Sequence, residues 1–507
     1  MFPLMADIIR HATERGQSTA LCSGGHVVSY SELVNEIRYA GWHLSNCPAQ
    51  AVALDLDNSP VWAVLDLAAL NTAIPVVPLP SFFSPQQLLH AIRDAGADCI
   101  FTDRADYYRD LLREAGVEIS IAVEYTIFGH GFVELRLAGI APATLPQGTA
   151  KITYTSGTTG QPKGVCLSAG AMYRVTRSLC DAGGGRQSDV HLSVLPLATL
   201  LENIGGIYVP LLAGATAALP PLAAVGLEGA TRFDARRMLK AILQYRATTT
   251  IHTPQLLQAM VAACEDAQLV PKTLRFIAVG GAPVSARLLA RAAALKLPVF
   301  EGYGLSECAS VVALNTACAR RPGSVGKTLP HVQLAFADDG EILVAGATLL
   351  GYTGSDAVVA DTFWPTGDVG YLDADGYLHI TGRKKNIFIT SFGRNVAPEW
   401  VERELTLNHA IAQAAVFGEG RPWNVAVIVP HHGLNGHLHE AINSAIADAN
   451  QILPDYARIK TWIHADAPFT PQNGQLTANG RLRREAIWPV YQQRIEKLYQ
   501  EINDGVL

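Results

Sequence analysis

The chain has no Cys-x-x-Cys pair, no long block of like charge and no uninterrupted apolar stretch fit to span a bilayer. Each absence removes a class of protein. Its cysteines (Cys22, Cys47, Cys99, Cys166, Cys180, Cys264, Cys308 and Cys318) are scattered, which argues against a disulfide frame or a zinc site and for free thiols in a reducing compartment. The formal net charge of -6 gives no basic field to gather nucleic acid, so no nucleic-acid partner is expected. The opening residues lack the basic start and apolar run of an export signal, and a cytoplasmic location is the expectation. Ile204 to Leu227 is uncharged, but Gly205, Gly206, Pro210, Gly214, Pro220 and Pro221 break it. It reads as a buried helix, a turn and a strand, with no integral membrane segment.

What is present is a well-apportioned globular composition, 49% hydrophobic and 17% charged, in 507 residues. That length exceeds one ordinary core, so two or more domains are expected. Short runs such as AVALDLD, DCIFTD, KITYT, TTTIHT and LRFIAVGG are rich in β-branched residues and read as strands. SYSELVNEIRYAGWHL, SPQQLLHAIRDAG and SARLLARAAALK carry apolar residues near a 3.6 spacing and read as helices. Their alternation predicts an α/β fold, with parallel sheets covered by helices. The style changes near TGRKKN, Thr381 to Asn386, which reads as a linker or hinge. The domains are therefore set at 1–384, a large N-terminal domain, and 385–507, a small α+β C-terminal domain. The final apolar stripe, Ile487, Tyr491, Ile495, Leu498 and Ile502, is expected to dock on that small domain.

The densest chemical signal is TYTSGTTGQPKG, Thr153 to Gly164, directly after a predicted strand. Thr155, Ser156, Thr158 and Thr159, with Gly157, Gly160 and Lys163, offer many donors and little steric obstruction, a loop suited to phosphate. It is not a Walker loop, because no glycine-lysine-hydroxyl triplet stands at the required spacing. The run resembles the phosphate-binding signature of the superfamily that holds acyl-CoA synthetases, nonribosomal adenylation domains and firefly luciferase. Further motifs follow in that superfamily's order. VGGAP, with Gly280, Gly281, Ala282 and Pro283, resembles its adenine-side loop. EGYGLSE, with Glu301, Gly302, Tyr303, Gly304, Ser306 and Glu307, resembles its aromatic and magnesium motif. TGD, ending at Asp368, resembles its ribose motif, and GRKKNIFITSFGRNVAPEWVE its hinge and first C-terminal segment.

The resemblance implies an AMP-forming ligase that makes an acyl-AMP from ATP and a carboxylic acid with Mg²⁺, then transfers the acyl group to a thiol. Coenzyme A, or the phosphopantetheine arm of an acyl carrier protein, would present that thiol. In this reading Tyr303 stacks on adenine, Asp368 and Arg383 hold the ribose, Ser306 meets the α-phosphate in place of the usual threonine, and Glu307 binds the metal. The small domain would be mobile, pivoting at Lys385 and bringing Gly393 to the thiol tunnel. Two departures stand out. Asn386 replaces an acidic residue that often follows the hinge. Arg481 occupies the position of a lysine that reaches the α-phosphate and the acid, and no lysine lies between Lys460 and Lys497 to replace it. Arginine keeps the charge in a bulkier, planar form, so a retuned but active first step is expected; a nucleotide-binding homologue without turnover is the alternative.

LPLATLLENIGGIY, Leu195 to Tyr208, resembles the acyl-pocket segment of fatty acyl-CoA synthetases, with Glu202 retained and Thr199 in place of a common histidine. Thr199, Glu202, Gly205 and Gly206 are its candidate pocket residues. It has no aspartate to pair with an α-amino group, which disfavours amino acids. A medium or long aliphatic acid is the first expectation and an aryl acid the second.

Overall fold

The computed structural model describes residues 2–46, 49–155, 162–228, 232–359, 362–431, 438–477 and 481–503. Among them are two large sheets and several smaller ones. The nine-stranded sheet contains a parallel run of Thr216–Ala218, Val190–Leu192, Thr249–His252, Phe276–Val279 and Val299–Tyr303. The eight-stranded sheet contains the parallel strands Cys99–Thr102, Val52–Asp55 and Val76–Pro78, then the antiparallel pair Thr149–Thr155 and Lys163–Ser168. Helices cover these sheets and bury apolar side chains against them, as in Leu33, Ile37 and Leu44 of Tyr30–Asn46.

Local chemistry fixes the ends of these helices. Ser84 caps Pro85–Asp94 reciprocally with Gln87, and Ser285 accepts from the amides of Arg287 and Leu288 at the start of Ala286–Ala294. Five of the sequence-predicted strands recur as Val52–Asp55, Cys99–Thr102, Thr149–Thr155, Thr249–His252 and Phe276–Val279. The antiparallel part, Val332–Phe336, Glu341–Gly346, Trp364–Leu372 and Leu378–Arg383, interrupts the expected α/β alternation before the smaller C-terminal domain begins.

That smaller domain is built on Ile411–Phe417, Asn424–Pro430 and Ile459–His464. The last helix, Arg484–Asn503, buries Ile487, Tyr491 and Ile495 against Phe417, Val425 and Val427, so its apolar stripe docks within its own domain. No helix among the described residues is long and apolar enough to cross a membrane. Ile204 to Leu227 becomes a wide-turned helix, Asn203–Tyr208, continuing as Val209–Ala213, then a turn at Gly214 and the strand Thr216–Ala218.

A buried polar knot ties the eight-stranded sheet to the helices Pro60–Asn71 and Asn203–Tyr208. Lys151, on the strand that leads to the hydroxyl-rich run, donates to Asp66 (2.6 Å) and to the Tyr208 hydroxyl (2.8 Å), and also to Asn203. Asn203 Nδ2 donates in turn to Asp66 (3.2 Å). All three ammonium hydrogens have acceptors, which is what allows a lysine only 1% exposed at its side chain to remain inside the fold.

Candidate active site

One cavity of about 430 Å³ gathers residues from both halves of the chain. At one end, loops that follow sheet strands supply its wall. Gly280 and Gly281 follow Phe276–Val279, and Gly302 and Tyr303 close Val299–Tyr303. Gly281 has φ +83°, a conformation glycine adopts without strain. Gly304 admits no side chain, since a Cβ there would lie 1.7 Å from the Ser310 carbonyl oxygen. Ser306 and Glu307 also line the cavity, as do Thr155, Lys163, Arg383 and Arg481.

Thr155 and Lys163 pair across their antiparallel strands, so the ends of the hydroxyl-rich loop are fixed at the cavity wall. Ser156, Gly157, Thr158, Thr159 and Gly160 lie outside the described residues. The Lys163 ammonium sits 5.6 Å from the centre of the Tyr352 ring, whose hydroxyl donates to Glu307 Oε1 (3.2 Å). Tyr352 thus bridges a cation and a carboxylate, and the sequence reading had not singled it out.

Asp368 is buried and does not line the cavity; it accepts from the Tyr303 hydroxyl (2.7 Å) and from Arg383 Nε (2.8 Å). Its carboxylate therefore orients two residues that do face the cavity. Burial, then the adjacent Asp368 charge, raise the Tyr303 pKa and keep the phenol protonated as a donor.

Arg481 comes from the C-terminal domain, where Leu482 bridges to Leu476 and the Arg481 amide donates to Thr477 Oγ1 (3.0 Å). Its guanidinium donates to the Gly281 carbonyl (2.8 Å) across the domain boundary. The residue is exposed on one side, and its side chain reaches the cavity lining. Burial, then Arg383, lower its pKa, while Asp368 and Glu307 oppose them; an arginine stays charged throughout.

Several sequence-predicted residues do not reach the cavity. Glu301 lies behind the glycine loop, where its carboxylate accepts from the Val284 amide (3.3 Å), and burial pushes its pKa up to about 7. Ala282 and Pro283 continue that loop outside the cavity lining. Thr199 and Gly205 line the cavity, but Glu202 and Gly206 do not. Glu202 is fully buried against His191 (3.1 Å), because the helix turns it toward the sheet, and Gly206 packs its backbone on the same pair. Lys385 lies in an exposed turn, and Gly393, at φ +70°, forms the turn of a small hairpin outside the cavity.

The other end of the cavity is apolar for most of its length. Its floor is one face of the parallel sheet, where register aligns His191 with Thr249 and Thr249 with Phe276, then Ile251 with Ala278. None of these was legible as a motif. The detectable signal was alternation within neighbouring parallel strands, which places every second residue on one face.

Residues 8–352 match the family model for the AMP-binding enzyme, and residues 385–503 match that for the AMP-binding enzyme C-terminal domain. The chain belongs to the AMP-binding enzyme family. Among similar proteins is the long-chain-fatty-acid–CoA ligase FadD15 of Mycobacterium bovis, 26% identical over 94% of this chain and 92% of that one. The indoleacetate–CoA ligase of Aromatoleum aromaticum is 34% identical over 60% of this chain and 62% of its own. In fold, the chain is similar to the anthranilate CoA ligase AuaEII in complex with anthranoyl-AMP, with TM-score 0.79, 19% identity and 96% of each chain covered.

Proposed function

We propose that this member of the family, an AMP-forming acid–thiol ligase, activates a medium or long aliphatic carboxylic acid with ATP and Mg²⁺ and passes the acyl group to coenzyme A. The phosphopantetheine arm of an acyl carrier protein is the second acceptor, since it presents the same thiol. The observation that carries the reading is the continuity of the cavity: Lys163, Arg383 and Arg481 at one end open directly onto the apolar bore along the sheet.

A carboxylate is a poor acyl donor until its oxygen displaces pyrophosphate from the α-phosphorus of ATP. Negative charge then builds on the phosphoryl oxygens and on the leaving group. Arg481 and Lys163 supply fixed positive charge at that end, and the Gly280–Gly281 and Ser306 region supplies donors. No three metal-ligating side chains cluster among the described residues. At this end of the cavity the Glu307 carboxylate fits Mg²⁺, which takes one or two carboxylates and completes its shell with phosphate and water. When bound there, the ion supplies charge neutralisation for the phosphates.

Arg481, bonded to the Gly281 carbonyl, brings the C-terminal domain against the nucleotide end, where a closed site would keep water from the acyl adenylate. Arg481 and Gly393 both belong to the C-terminal part, yet only Arg481 is at the cavity. This supports a small domain that moves between the two half-reactions about a hinge at Lys385, with the boundary at 384/385. The location follows as cytoplasmic, in keeping with free thiols.

An aryl acid is the second reading, favoured by the similarity to the indoleacetate ligase. Purified protein incubated with ATP, Mg²⁺ and a panel of aliphatic and aryl acids, with each acceptor in turn and products read by mass, tests both. Aliphatic acyl thioesters are expected; aryl products alone would move the assignment to the second reading.

A further inference from the structure

The apolar bore runs past the nucleotide end to the opposite edge of the parallel sheet. From Gly280 back to Phe276 the strand spans roughly 13 Å at ~3.3 Å per residue. The roof consists of Leu201, Gly205, Val209 and Ala213, spaced four residues apart. In an α-helix such a set drifts about 40° at every step. The wider turn of Asn203–Tyr208 offsets part of that drift and keeps the four over one line. Roof and floor approach each other at Gly205, where a Cβ would lie 2.4 Å from Ile251 Cδ1.

At its far end the bore is bounded by Cys180, Ala213 and Gly185 on the helix side and by Asp189 and Arg275 on the sheet side. A Cβ on Gly185 would lie 2.7 Å from Cys180 Sγ and 3.2 Å from Ala213 Cβ, so the helix-side wall is already tight. Arg275 Nε donates to Asp189 Oδ1 (2.7 Å), and its Nη1 donates to the Gly183 carbonyl (2.8 Å). Asp189 also accepts from the Arg186 amide (2.8 Å) and from Thr248 Oγ1 (3.0 Å). The two charges cancel, and neither is left free to pair with a substrate.

We infer that this end wall reads the distal terminus of the acid: Cys180 and Ala213 set the permitted chain length, and the self-paired Asp189–Arg275 admits a neutral methyl end while rejecting a second carboxylate. The inference rests on the reading of this cavity as the acid site. A carboxylate carried to that wall would lose water without gaining an unpaired cation, a cost that a methyl terminus does not meet.

The test is acid-dependent ATP–pyrophosphate exchange by the full chain, over saturated straight-chain acids from butanoic to octadecanoic and the α,ω-dicarboxylic acids of equal length. Wild type is expected to favour a monoacid of intermediate length over its diacid by roughly tenfold or more. Ala213→Leu and Cys180→Leu, on two separate elements, should move the optimum to shorter acids while keeping the rate with the shortest ones. Asp189→Asn, which leaves Arg275 without its counter-charge, should narrow the monoacid-to-diacid ratio about tenfold. An unchanged length profile in both leucine variants, or a fall at every length in both, overturns the length assignment. An unchanged ratio in Asp189→Asn overturns the charge assignment. Absence of exchange with any acid in wild type would instead remove the proposed function itself.

Discussion

At the end of the cavity proposed for the nucleotide, residues arrive on short contiguous runs, Gly280–Gly281 and Gly302 to Glu307, that leave strands as loops. At the other end, Asp189 and Arg275 immediately precede the strands Val190–Leu192 and Phe276–Val279, and Thr249 opens the strand between those two, so the three meet only because these strands are neighbours in the sheet. Where a ligand is held by backbone and loop donors, the chemistry demands glycines and hydroxyls at fixed spacing, and a motif results. Where a ligand is held by shape alone, many side chains serve and no local signature arises.

The largest effect is expected where the two ends are tied together. Lys151→Met leaves Asp66 buried without its cation and should cost about 3–5 kcal/mol, read as a lowered urea midpoint. Acid binding and nucleotide binding should weaken together in this variant; loss of only one would show that the ends are structurally independent. Next, Arg481→Ala should slow ATP–pyrophosphate exchange about 10²–10³-fold for every acid alike, with Arg481→Lys recovering most of it. An unchanged rate in the alanine variant removes Arg481 from the mechanism, and a length-dependent loss would place it at the tail end instead.

Tyr303→Phe removes the hydrogen bond to Asp368 and should weaken nucleotide binding by about 0.5–1.5 kcal/mol, measured as the ATP Kd with the acid optimum unchanged. A further effect, on stability and not on binding, concerns Glu301. Its folded pKa of about 7 lies above the ordinary 4.5, so the folded chain keeps the proton longer than the unfolded one. This contribution is complete below about 4.5 and is lost as pH rises through about 7. Glu301→Gln should therefore gain in Tm relative to wild type between pH 5 and pH 8; a constant difference would show that Glu301 is not the titrating group.

The fold was legible wherever a pattern was local. Strands such as Val52–Asp55 and Phe276–Val279 fall within short runs that read as strands, and helices such as Pro85–Asp94 within segments of helical apolar spacing. Lys163, Tyr303, Ser306, Glu307, Arg383 and Arg481, each marked out in the sequence by a motif or by its place after one, line one cavity. Glu202 misled because a carboxylate beside pocket residues on a helix can face either way, and here it turns to His191. The wide turn at Asn203–Tyr208 carries no residue signature, and it decides which side chains form the roof. Asp189 and Arg275 could be joined only by knowing which strands are neighbours. Tyr352 follows the last motif of its region by no fixed spacing, although it stands between Lys163 and Glu307.

Acid-dependent exchange of labelled pyrophosphate into ATP, measured on the purified chain with Mg²⁺ across the straight-chain series, tests most directly that one continuous cavity brings an acid to the α-phosphate. Exchange that rises to a maximum at an intermediate chain length is the predicted result. Exchange that is absent, or that proceeds equally well without acid, would contradict it.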